Sequence, residues 1–116
     1  MLTVYGIPNC DTVKRTRVWL DANRIEYTFH DYKKLGADAS KLAGWIEKAG
    51  LDKVLNKAGT TFRKLPDQAK ANLDTTSAIA LMVAQPSLIK RPIGEHDGGL
   101  LVGFNEPAWS AALLGG

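Results

Sequence analysis

Two hydrophobic periods succeed one another along this chain. Leu2, Val4 and Tyr5 are strand formers cut off by Gly6 and Pro8, so a first strand ends just before Cys10. The period then changes. From Asp11 to about Asn23, Val13, Thr16 and Leu20 fall on one face at helical spacing, with Trp19 flanking and Asn23 able to close the helix. Ile25, Tyr27 and Phe29 next alternate with Glu26, Thr28 and His30, the period of a strand with one face inward. A strand, a helical crossover and a second strand imply a parallel, right-handed pair.

The middle of the chain is helical. Asp38 can cap a helix in which Leu42, Trp45, Ile46 and Ala49 repeat at i, i+3, i+4 and i+7 before Gly50. Leu51 to Leu55 suggests one further turn, followed by a polar loop from Asn56 to Thr61. A short helix is expected from Asp67 to Leu73, and a longer one from Thr75 to Ala84, stopped at Pro86. The pattern then returns to sheet, with strands over Ile89 to Ile93 and Leu100 to Gly103 joined by a hairpin turn from Glu95 to Gly99. In a last helix Asn105 is the N-cap, Pro107 suits the first turn, and Trp109, Ala112 and Leu113 face inward. This order predicts an α/β fold: a small mixed four-stranded sheet flanked by helices, carrying a helical insertion over residues 36–85.

Composition narrows the class. The 116 residues suit one domain, and 45% apolar with 23% charged residues is globular usage. A net charge of +3 favours anionic small molecules without making a nucleic-acid stripe. No apolar run approaches the ~20 residues of a membrane span, and the start lacks a secretion signal, which points to a cytoplasmic protein. A monomer is expected. One cysteine cannot form an internal disulfide, and His30 and His96 stand too far apart to suggest a zinc set, so no metal is expected.

The chemistry therefore centres on Cys10. An ordinary thiol, with a pKa of ~8.5, is little ionised at neutral pH. At a helix head, free N–H groups and the positive end of the dipole favour a thiolate, and Lys14 follows one turn on. Asp11 opposes this, so only a direction is predicted: a more acidic thiol. A buried structural cysteine is the plain alternative. Two other cysteine chemistries fail on spacing. A phosphatase loop of the tyrosine-phosphatase kind needs an arginine where Thr16 stands, and a paired-cysteine redox motif needs a second thiol where Val13 stands. Any partner thiol must come from another molecule. His30 reads as a surface or sheet-end histidine and His96 as a loop residue, while Trp19, Trp45 and Trp109 read as packing residues.

YGIPNCDTVKR, GTTFRKL, PSLIKRPI and GFNEPAW occur in this order along nearly the whole chain, and together they resemble the arsenate reductase (ArsC) family, particularly its YffB-like branch. The resemblance implies a thioredoxin-like fold with a helical insertion, a redox-active Cys10, and Arg63 and Arg91 approaching it. It further implies a cis Arg91–Pro92 bond beside the site, with Lys14, Thr12 and Pro92 as substrate-binding residues. Two departures matter. Arsenate-reducing members carry an arginine where Phe104 stands and a histidine where Gly6 stands. Losing one cation and inserting a ring disfavours arsenate. The implied activity is a glutathione-dependent thiol reductase acting on a small-molecule or protein disulfide, with glutathione as co-substrate. The rival, suggested by Spx-like relatives, is a regulator that binds RNA polymerase, although Val13 removes the paired cysteines by which such regulators sense oxidation. Direct nucleic-acid binding ranks third.

Overall fold

In a computed structural model of the chain, which describes residues 1–115, β1 runs Leu2–Gly6 and α1 runs Asp11–Ala22. β2 (Tyr27–Asp31) lies parallel to β1, and the short helix α2 (Tyr32–Leu35) follows it directly. The remaining strands, β3 (Ile93–His96) and β4 (Gly99–Val102), form an antiparallel hairpin, and β3 pairs antiparallel with β1. The four strands make a mixed sheet in the order β2-β1-β3-β4. These elements, with α8 (Glu106–Leu114), form one compact unit, residues 1–35 together with the chain from Arg91 onward.

Register decides what each sheet face carries. Val4 stands opposite both Phe29 and Gly94, while Tyr5 stands opposite His30 and Ile93. Because side chains alternate across a strand, Leu2, Val4, Tyr27 and Phe29 share one face, which packs with Leu20 of α1 and Trp109 of α8. The other face carries Tyr5, His30, Ile93 and Glu95. Two glycines let the helices settle on the first face. A Cβ at Gly94 would lie 2.8 Å from the Trp109 ring, and one at Gly6 would lie 2.8 Å from Val13 Cγ2. Trp109 is fully buried and its indole N–H donates to the Gly103 carbonyl over 2.9 Å. Asn105 caps α8 as expected, its side chain accepting from the Ala108 N–H at 3.0 Å.

The second unit, Gly36–Lys90, is helical. Its helices are α3 (Ala39–Ala49), α4 (Leu51–Val54), α5 (Thr60–Arg63), α6 (Asp67–Lys70) and α7 (Thr75–Ala84), followed by a 3-10 turn over Pro86–Leu88. Asp38 caps α3 through the Ser40 N–H, and Asp74 forms a reciprocal capping box with Ser77 on α7. The apolar stripe Leu42, Trp45 and Ile46 is buried, and α3 packs on α7. The C-terminal end of the unit is tied to the end of α4 and the segment just after it by backbone bonds from Asn56 N–H to Leu88 O and from Lys90 N–H to Val54 O.

Several expected boundaries shift. The strand expected over 89–93 begins only at Ile93, because Ile89 makes an isolated bridge to Leu55 and Pro92 has no N–H to give the ladder. The hairpin turn is tighter than expected: Glu95, His96 and Gly99 pair as strand, leaving Asp97 and Gly98 to turn the chain. The polar loop after Asn56 gives way to α5, and the helix expected to reach Leu73 ends at Lys70, with Asn72 in left-handed backbone at φ 57. Ala112, expected to face inward, is exposed. Among the described residues no helix is long and apolar enough to cross a membrane.

Candidate active site

Cys10 is the N-cap of α1, in extended backbone at φ −82 and ψ 127, with its N–H donating to Ile7 O and its carbonyl accepting from Lys14 N–H at 2.9 Å. Gly6, Pro8 and Asn9 end the strand and turn the chain, so the cysteine enters the helix from a short loop whose tip is exposed. The sulfur is half-buried. Burial by itself pushes the thiol up. It is outweighed by the Val13 N–H, the Arg91 side chain, the Thr12 N–H and the Arg91 charge, so the thiol is held below its ordinary value. The sulfur does not form a well-aligned cap to the helix. The amides of Val13 and Thr12 nevertheless stand near enough to favour its anion.

Arg91 reaches the sulfur from the other end of the first unit, just ahead of β3. Its following peptide bond, to the buried Pro92, is cis, as the resemblance implied. Thr12 is half-buried, contributes its backbone N–H to the sulfur, and accepts from Arg15 at its hydroxyl over 3.3 Å. Lys14 is exposed in the first turn. Arg63 lies in the helical unit, at the C-terminal end of α5. It is exposed there, with a guanidinium nitrogen donating to the Ala58 carbonyl at 3.3 Å.

The sheet face opposite the apolar core carries neighbours that the sequence reading left out. Tyr5 donates its hydroxyl to Glu95 over 2.9 Å, and its ring lies 4.9 Å from His30 and 6.2 Å from Tyr32. His30, read as a surface or sheet-end residue, is thus half-buried in an aromatic cluster. Tyr32 is 2% exposed. Burial, then Tyr5 and Glu95, hold its hydroxyl neutral far above the usual tyrosine range, against the opposing charge of Arg91. The signal was the alternation of Tyr5, His30 and Tyr32. It became a cluster only once strand register was known. Phe104 packs on Trp19 and Trp109, with ring centres 5.7 and 5.5 Å apart, so the ring standing where the resemblance implied an arginine in arsenate-reducing members serves the apolar core. Among the described residues no group of three or more His, Cys, Asp or Glu side chains is placed to hold a metal.

A family model described as the ArsC family matches residues 5–112. An uncharacterized protein of Haemophilus influenzae is 46% identical over 97% of this chain and 99% of its own length. The global transcriptional regulator Spx of Listeria monocytogenes is 29% identical over 91% of this chain and 82% of its own. Among solved structures, a protein named YFFB (PA3664) is 52% identical, superposes with a TM-score of 0.95, and is covered over 97% of this chain and 99% of its own. An arsenate reductase (ArsC) related protein from Brucella melitensis is also 52% identical, with a TM-score of 0.74 over 97% of this chain and 93% of its own. The mixed four-stranded sheet with its helices is the thioredoxin-like arrangement of these structures.

Proposed function

The chain belongs to the ArsC family, and from that premise we propose that it is a cytoplasmic, glutathione-dependent thiol reductase in which Cys10 is the nucleophile. The observation that carries this is the Cys10 sulfur at the head of α1, lowered in pKa by two backbone N–H groups and the Arg91 guanidinium. A thiolate so placed attacks one sulfur of a disulfide. With a glutathione mixed disulfide, Cys10 bonds to the glutathione sulfur and the other thiolate leaves, taking a proton from solvent. A second glutathione thiolate then attacks the Cys10–glutathione bond, releasing the Cys10 thiolate and oxidised glutathione. The leaving sulfur passes from the disulfide to the thiol level and the attacking glutathione sulfur from the thiol to the disulfide level, while the sulfur of the first glutathione stays at the disulfide level throughout.

Arg91 stabilises the thiolate at the start and the end of the cycle. Thr12 and Lys14 hold the substrate near the helix head and Pro92 shapes the wall beside Arg91; Arg63, which the resemblance assigns to the site, lies in the helical unit. The site needs no metal. Arsenate is a poor substrate on this reading, because Phe104 is committed to the core where a third arginine would be required. In a coupled assay with a glutathione mixed disulfide, Cys10→Ser is expected to abolish transfer. Full activity in that variant would remove the proposal.

The second reading is a transcriptional regulator acting through RNA polymerase, favoured by the similarity to Spx proteins over most of the chain. Val13 weighs against its redox-sensing form. The position is fully buried, with its methyl groups filling the space above Gly6. Retention of RNA polymerase by the immobilised chain, together with no thiol transfer, would select the regulator.

A further inference from the structure

Seven residues after Cys10, two turns along α1, Arg17 returns to the side of the helix from which the sulfur starts, and Lys14 lies between them at i+4. Arg17 is fixed against the outer strand. Its guanidinium carbon stands 4.2 Å from the centre of the Phe29 ring, and its Nε donates to the Tyr27 hydroxyl over 3.1 Å. Beside it opens a cleft of about 330 Å3 lined by Pro8, Arg17, Phe29, Asp31, Lys34 and Leu35. Pro8 belongs to the loop that carries Cys10, and Asp31 ends β2. The cleft therefore lies where the parallel strands β1 and β2 stop, the edge of an α/β sheet at which ligands bind.

Its lining is part apolar and part cationic. The Asp31 carboxylate is engaged by the Lys33 N–H at 2.8 Å. Among the described residues, the Lys34 ammonium and the terminal nitrogens of Arg17 have no acceptor. Leu35 is 67% exposed beside them, an apolar surface with nothing packed on it. The volume suits a small organic group. A larger groove on the other side of Arg17, about 820 Å3, mixes Arg24 with Asp21 and Glu26 and so offers no comparable preference for an anion.

We propose that this cleft is a subsite for the carboxylate end of a short peptidic thiol whose sulfur sits at Cys10. Arg17 and Lys34 pair with the carboxylate, Lys14 flanks the path, and Pro8, Phe29 and Leu35 contact the methylene groups. The reach is adequate: two helical turns rise about 10 Å, which about two extended residues of ~3.5 Å each and an arginine side chain span. The inference rests on the thiol-reductase reading for the identity of the thiol, glutathione, which carries a carboxylate at each end.

The test uses two blocked ligands, S-methylglutathione and its diethyl ester, titrated against the full chain by NMR. The wild type is expected to bind the free acid about five- to tenfold more tightly than the ester, the size of an exposed to partly desolvated charge-assisted pair. That ratio is expected to fall toward one in Lys34→Gln and in Arg17→Gln, with shifts at the Asp31, Lys34 and Leu35 amides in the wild type. Because the readout is a ratio within each folded variant, loss of overall stability does not mimic it. An unchanged ratio in Lys34→Gln, or no binding of S-methylglutathione, would overturn the subsite. Thiol transfer separates the two readings: transfer through Cys10 with an unchanged ratio removes the subsite and leaves the reductase, whereas Lys34-dependent binding without transfer does the reverse.

Discussion

Burial alone would make Cys10 a poor nucleophile, and what reverses this is a small number of donors aimed at one sulfur. The consequence is measurable in two ways. The alkylation rate of Cys10 against pH is expected to have its midpoint below that of a free thiol, and Arg91→Ala, which removes both a hydrogen bond and a charge, is expected to raise it. Thiol transfer by Arg91→Ala should fall about tenfold or more, the size of one lost charge-assisted hydrogen bond. The linkage sign follows from the same shift. A depressed folded-state pKa adds stability that is fully present above the ordinary thiol value and is lost as pH falls through the folded value. The stability difference between wild type and Cys10→Ser should therefore grow as pH rises through that window, in denaturant titrations at several pH values. An unchanged midpoint in Arg91→Ala would mean that the guanidinium does not govern the sulfur. Much of this was legible beforehand, because a lone cysteine between a strand ending in Gly and Pro and an amphipathic run favours a reactive thiol over the buried structural alternative. The donors were less so: the Val13 and Thr12 amides act through backbone geometry, which side-chain identity does not encode.

At the scale of elements, the sequence pattern located the helices better than the strands of the C-terminal hairpin. Capping residues announce helix ends locally, as Asp38 and Asn105 do. The start of β3 depends on Ile89 pairing with Leu55, far away in sequence, and on Pro92, which has no N–H to give the ladder. Register was likewise invisible, and with it the placement of Gly94 under Trp109. That contact makes a specific demand. A methyl group at position 94 meets a ring held by its own hydrogen bond to Gly103, so the ring cannot swing aside freely. Gly94→Ala is expected to cost roughly 1–3 kcal/mol by overpacking, read as a lower denaturant midpoint with an unchanged slope. A neutral result would show that α8 slides on the sheet more easily than its buried tryptophan suggests. Gly6 follows the same logic toward Val13. A histidine there, the residue the resemblance implied for arsenate-reducing members, would require the helix that carries Cys10 to move.

For the molecule as a whole, one cysteine in 116 residues fixes the arithmetic of any disulfide chemistry. No resolving thiol exists within the chain, so an oxidised sulfur can be returned only by a second molecule, and each protein chain can hold one adduct at most. The slight positive charge, +3, and the cations Lys14, Arg17 and Lys34 around the first unit's helix head favour an anionic thiol over a neutral one. Treatment with oxidised glutathione is therefore expected to add a single glutathione per chain by intact-mass measurement, reversed by excess glutathione and absent in Cys10→Ser. Raising the ionic strength should slow its formation, since screening weakens the attraction between exposed charges separated by about 10 Å. A neutral disulfide of similar size should react with little dependence on salt. If the neutral reagent reacted faster than oxidised glutathione at low salt, the surface around Cys10 would not be selecting an anion, and the thiol that resolves the protein's mixed disulfide would have to be sought among uncharged or protein partners.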